Sequence, residues 1–202
     1  MSESIHRFAG VTGALGIEVS ELGCIMADVE PIPVTRYLAS ALPNPWGDLY
    51  VSPRREERFW IDGAVGETGA HVTLLYGLLQ PGPVWREHVD VLLADVDLST
   101  VTVDHVGVFD SPYEDERYKC IVAHLQLTPA LRRAHTRLSY LPHVNTFPEY
   151  RAHVTLAYVK DEPAVGAVWG GLSIPELWAG YLDQDLAGRE LRVSGINYGG
   201  RS

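Results

Sequence analysis

His71-Val72-Thr73-Leu74-Leu75-Tyr76 recurs in the second half of the chain as His153-Val154-Thr155-Leu156-Ala157-Tyr158, with leucine against alanine at the fifth place as the one difference. Each copy follows an alanine, Ala70 or Ala152, and has the apolar run of a strand. A nearly unchanged frame in each half reads as duplication of a strand-bearing lobe, so that two lobes face one another. Side chains two apart on a strand share a face, roughly 6.5–7 Å apart. His71 therefore stands beside Thr73, and His153 beside Thr155. Val72, Leu74 and Tyr76, like Val154, Leu156 and Tyr158, are expected on the opposite, apolar face. A single His-x-Thr is ordinarily a pair of core residues satisfied by neighbours; its recurrence in one frame is what points to chemistry.

Outward from the motifs, the pattern predicts strands over Leu22–Val29, Asp48–Ser52, Ala70–Leu79, Val101–Phe109, Tyr118–Leu127, His153–Lys160 and Leu191–Tyr198. Helices are expected between them. One opens with Thr128 as N-cap and Pro129 at its first position, carries Leu131, Ala134, Leu138 and Leu141 on one face, and stops at Pro142. Others are expected over Pro83–Ala94, with Val84, His88, Val91 and Leu92 on one face, over Val34–Leu42, and near Pro175–Asp183. Intermixed helices and strand pairs joined by short loops give an α+β fold, with antiparallel sheet covered by helices. The 19 glycines and 13 prolines are scattered and form no linker, so residues 1–202 read as one compact unit. Residues 1–10 and 199–202 are expected to be loose.

Cleaving a phosphodiester with a ribose hydroxyl or water requires a base for the nucleophile and an acid for the leaving oxygen. Imidazole, with an ordinary pKa of about 6.5, serves as either near neutral pH, so His71 and His153 suit in-line displacement with opposed proton transfers. The motif does not decide which histidine is the base. The hydroxyls of Thr73 and Thr155 would donate to non-bridging phosphate oxygens. With proton transfer and oxyanion donors both supplied, the chemistry calls for no metal or cofactor, and closely spaced zinc-type histidines are absent from the sequence.

Paired His-x-Thr motifs within apolar strands resemble the two-histidine (2H) phosphoesterase superfamily, which includes RNA cyclic phosphodiesterases and 2′-5′ RNA ligase-like proteins. The resemblance implies a bilobed, pseudo-twofold α+β fold over about Asp48–Tyr198, with antiparallel sheets lining a central cleft and helices outside. It implies metal-independent catalysis by His71 and His153 with phosphate held by Thr73 and Thr155. Many members carry proline before the histidine, where this chain has Ala70 and Ala152. The extended His-x-Thr-Leu-x-Tyr frame is similar to that of bacteriophage anti-CBASS nucleases, which degrade cyclic oligonucleotide immune signals. Cyclic oligonucleotides thus stand first among expected substrates. An RNA 2′,3′-cyclic or 2′-5′ phosphodiesterase is the alternative, and a non-catalytic nucleotide-binding module the rival from another class.

A net charge of −10 repels long polyanions, so the expected partner is a small nucleotide and not duplex DNA or structured RNA. No leader pattern and no run of about 18 apolar residues occurs, so a cytoplasmic location is expected (the host cytoplasm for a phage-encoded chain), with no membrane partner. Cys24 and Cys120 read as buried, reduced thiols without a role. Nucleobases need aromatic platforms, and Trp46, Tyr50, Trp178 and Tyr198 are the candidates; each also reads as core, and Trp46, in a Pro-Asn-Pro-Trp-Gly loop, and Tyr198, before a Gly-Gly tail, are put first. Arg132, Arg133 and Arg137 are assigned to solvent, Arg54–Arg58 to a loop, and His105 and His124 to satisfied structural positions.

Overall fold

Both histidine motifs fold as strands that lie side by side. The computed structural model describes residues 22–41, 65–110, 118–145, 149–161 and 171–200. In chain order these form β1 (Gly23–Val29), α1 (Val34–Ala41), β2 (His71–Leu78), α2 (Arg86–Leu93), β3 (Thr100–Asp110), β4 (Tyr118–Leu125), α3 (Pro129–Leu138), β5 (His153–Lys160), α4 (Ile174–Leu186) and β6 (Glu190–Gly199). The expected strand at Asp48–Ser52, along with Trp46, Tyr50 and Arg54–Arg58, lies outside the described residues.

The strands are ordered β1-β2-β5-β4-β3-β6, every neighbouring pair is antiparallel, and β6 returns to β1 to close the sheet. Two halves are visible in the pairing. β6, β1 and β2 form one and β5, β4 and β3 the other, joined by the single pair Val72↔Val154 on one side and by Thr100–Thr102 against Glu190–Arg192 on the other. The expected two sheets are thus the halves of one closed α+β sheet.

One face of each half is apolar: Ile25, Val72, Leu74, Ile121, Val154 and Leu156 are fully buried there with Leu131, Leu138, Leu182 and Leu186 of α3 and α4. Burial of each such side chain contributes about 1.5–3 kcal/mol. α3 starts as the sequence predicts, with the Thr128 hydroxyl accepting from Leu131 N at 3.3 Å and Pro129 in the first turn. α4 opens with a Ser173/Glu176 capping box and extends to Leu186 because Leu182 and Leu186 continue the buried stripe. Its Asp183 carboxylate takes the Val106 N–H at 2.7 Å, where the β3–β4 register slips. The tail expected to be loose from Gly199 is ordered there, since Gly199 pairs with Cys24.

Two expectations are corrected. In α2, Val84 (just before it) and Val91 are exposed, while Val89 and Leu93 are buried, so the inward stripe is one position away from the one the sequence suggested. Arg137 is not free in solvent: it binds the Asp95 carboxylate and donates to Leu92 O at 2.9 Å, tying α3 to α2.

Candidate active site

At the Val72↔Val154 pair the antiparallel sense sets His71 across from Thr155 and Thr73 across from His153, all four on the face away from the core. The sheet thus brings together the four residues that the repeat singled out.

Each histidine is held in the same way. The ring Nδ1 lies 2.8 Å from the carbonyl two residues earlier, Gly69 O for His71 and Arg151 O for His153. A carbonyl only accepts, so Nδ1 is the protonated nitrogen and Nε2 is left as the acid or base. The preceding alanines match as well: Ala70 O accepts from Val29 N and Ala152 O from Leu125 N, both at 3.0 Å. Burial, and then the neighbouring charge of His71, holds the His153 imidazole below its usual pKa against the opposing pull of the Arg151 carbonyl.

Both motif strands bulge just after the threonine. Ile25 pairs with Leu75 and Met26 with Thr73, skipping Leu74; Ile121 pairs with Ala157 and Val122 with Thr155, skipping Leu156. Two successive residues then point into the core, and the next side chain returns to the motif face. Tyr76 and Tyr158, expected on the apolar face with the leucines, accordingly lie half-buried on the histidine face, across from Cys24 and Cys120. Neither cysteine is in a disulfide among the described residues, and both are half-buried on that face instead of in the core.

The two bulges are supported differently. At the first, the Tyr150 hydroxyl donates to Thr73 O at 3.1 Å and His135 Nδ1 donates to Leu74 O at 2.8 Å, with the two rings stacked 4.0 Å apart. Burial holds the Tyr150 phenol far above its ordinary pKa, so it stays a donor. At the second, Gly66 lies against the backbone; a Cβ there would meet Leu156 Cα and O at 3.3 Å.

The halves differ beside the histidines. Asp28 is across from His71 and receives Asn197 Nδ2 at 3.3 Å, whereas His124 is across from His153. His124 stacks on His105 at 4.4 Å, and Phe109 touches both His124 (5.0 Å) and His153 (5.1 Å) edge to face. His105 is exposed and bound to the Asp104 carboxylate at 2.9 Å, whereas His124, half-buried on the motif face, has no hydrogen-bond partner among the described residues and is not the satisfied structural histidine expected. The alternation His105-Gly107-Phe109 carries this face in the sequence, but it has no copy in the first half, so the repeated frame does not reveal it. Tyr198 pairs with Ile25, on the core side, and lies under Arg86 at 4.8 Å. It is turned away from the motif face, and Trp46 lies outside the described residues.

The sequence signature of the 2′-5′ RNA ligase superfamily matches residues 42–193. The chain belongs to the 2′-5′ RNA ligase superfamily. Membership in this two-histidine phosphoesterase group accounts for the paired motifs and supports a phosphodiesterase-type hydrolase. Two solved structures of Kluyveromyces marxianus Usb1 share the superfamily fold. One has a TM-score of 0.51 at 10% identity, covering 89% of this chain and 94% of that one. The other, with uridine monophosphate, has a TM-score of 0.52 at 12% identity, covering 92% and 97%. No curated protein matches the chain in sequence. The superfamily match does not single out the cyclic-oligonucleotide branch suggested by the motif frame. No described helix is long and apolar enough to cross a membrane.

Proposed function

We propose that this superfamily member is a metal-independent nucleotide phosphodiesterase, with His71 and His153 as proton-transfer groups and Thr73 and Thr155 as hydrogen-bond donors to the phosphate. The observation that carries the reading is the shared face: two imidazoles with anchored Nδ1 and two hydroxyls meet across one antiparallel pair. His153 is the base, because its depressed pKa keeps Nε2 unprotonated near neutral pH. It takes the proton of the attacking hydroxyl, from the adjacent ribose or from water. As the new P–O bond forms, the opposite P–O bond breaks and His71 gives its Nε2 proton to the departing oxygen. The threonine hydroxyls orient the phosphate and stabilise the charge on its equatorial oxygens.

Small cyclic oligonucleotides are the first substrates proposed, with cyclic-phosphate RNA ends second. The charge of −10 favours a compact nucleotide over a long polyanion, and the uridine monophosphate held by Usb1 is a ligand of that size. The test is incubation with EDTA against cyclic di- and trinucleotides, 2′,3′-cyclic mononucleotides and 2′-5′-linked oligoadenylate, followed by chromatography. Cleavage is expected without metal, and His71→Ala or His153→Ala should each lower turnover about 10²–10⁴-fold without loss of folding. Near-full activity in both variants would overturn the assignment. Binding without cleavage by the intact protein would make it a nucleotide-binding module.

A further inference from the structure

β3 presents His105, Gly107 and Phe109 in succession, and the His124 ring from β4 is seated in the gap at Gly107. A Cβ at position 107 would meet His124 Nε2 at 3.1 Å and Cδ2 at 3.2 Å. The ring's Nε2–Cδ2 edge therefore lies over Gly107, with His105 stacked on its face and Phe109 against it edge-on. The opposite vertex, Nδ1, turns away from β3 and has no hydrogen-bond partner among the described residues. This imidazole is thus fixed on both sides, directly across from His153, with a free polar edge.

The charges around it favour an anion. From β3 it faces His105, itself bound to the Asp104 carboxylate at 2.9 Å; from β5 it faces the His153 imidazole, and Arg151, in the residues leading into β5, brings positive charge near. Arg151 reaches the Glu149 carboxylate at 3.3 Å and is otherwise exposed. Asp104 is the acidic group whose charge acts on the His124 ring. In the other half the equivalent place holds the carboxylate of Asp28, so an anion is admitted on the β4 side and repelled on the β1 side.

We propose that His124, seated between His105 and Phe109 over Gly107, contacts a second, non-scissile phosphate of the substrate. The enzyme then selects nucleotides carrying a further phosphate over those with the scissile one alone. The assignment rests on the phosphodiesterase reading above and adds its specificity. Burial, His105, His153 and Arg151 hold the free imidazole below its ordinary pKa, so phosphate binding pulls a proton onto it. The selectivity therefore rises as the pH falls.

The test compares uridine 2′,3′-cyclic phosphate with the same nucleotide bearing a 5′-phosphate. The intact protein should favour the 5′-phosphorylated form about tenfold in kcat/KM, more at about pH 6 than at about pH 8. His124→Gln should bring the ratio close to one and flatten its pH dependence, and Gly107→Ala, whose Cβ would press on the ring's Nε2–Cδ2 edge, should lower the ratio in the same direction. Equal use of both substrates by the intact protein, or an unchanged ratio in both variants, overturns the proposal. Histidine-resolved NMR gives a readout without turnover: uridine 3′,5′-bisphosphate should move the His124 signals and uridine 3′-monophosphate should not. If neither nucleotide is cleaved, the phosphodiesterase reading fails, while the His124 signals still uphold or overturn the second phosphate site.

Discussion

His71 and His153 share a motif and an Nδ1 anchor, but not an environment. Asp28, held by Asn197, stands across from His71, whereas Phe109 and His124 border His153, whose imidazole burial drives toward the neutral form. On the proposed mechanism this asymmetry is what makes His153 the base and His71 the acid, which the repeated sequence alone leaves open. A base with a depressed pKa stays competent to lower pH, so the acid limb of the kcat/KM profile is expected below the ordinary imidazole value of about 6.5. His153→Ala should remove that limb. A profile over about pH 5–9 checks this, and an acid limb that persists in His153→Ala would reverse the roles. The four motif residues were legible because their frame recurs; His124 was not, because its significance arises only when β4 is laid between β3 and β5.

At the scale of elements, the bulge after each threonine sets the site. It turns Leu75 and Ala157 into the core and returns Tyr76 and Tyr158 to the histidine face. Bulging frees carbonyls from the ladder, and those of Thr73 and Leu74 are taken up by Tyr150 and His135. Tyr150→Phe keeps the stacked ring and removes the hydroxyl, at a stability cost of about 0.5–1.5 kcal/mol. Because the lost bond fixes the backbone of Thr73, kcat should fall about tenfold or more, with little change in KM. Thermal melting together with steady-state kinetics checks both, and a melting shift with kcat intact would leave Tyr150 a purely structural residue. Strand existence was legible from apolar alternation, as at β5, where the predicted and observed bounds coincide. The bulges were not, since Leu74-Leu75 and Leu156-Ala157 are apolar doublets that fit a regular buried strand equally well. The face of α2 was misread for a related reason: Val84 just before the helix and Val89 and Val91 within it suit more than one stripe, and the core takes Val89.

Over the whole molecule, the α+β class followed from the alternation of strand and helix patterns. Closure of the sheet did not, because it requires β6 to pair with β1 from the opposite end of the chain. Closure sets the imidazoles of β3, β4 and β5 and the neighbouring motif histidine of β2 on one face of a chain that is otherwise acidic, and this ties stability to pH. His124 and His153 both have native pKa values below the ordinary one, chiefly through burial. Below about pH 6.5 the unfolded chain therefore binds protons that the native state refuses, and stability falls as pH falls. Exposed Asp95 and Asp97 act later: Arg137 lowers the first and the Ser99 backbone N–H the second, so their contributions are lost only as carboxylates titrate. The melting temperature should accordingly drop between about pH 7.5 and about pH 5.5, before the carboxylate range is reached. His124→Gln removes one of the protons taken up on unfolding and should reduce that slope, whatever its effect on the melting temperature at neutral pH. Melting curves at several pH values decide the matter: a slope of opposite sign would mean that the native state holds these imidazoles charged, and with that His153 would lose its standing as the base.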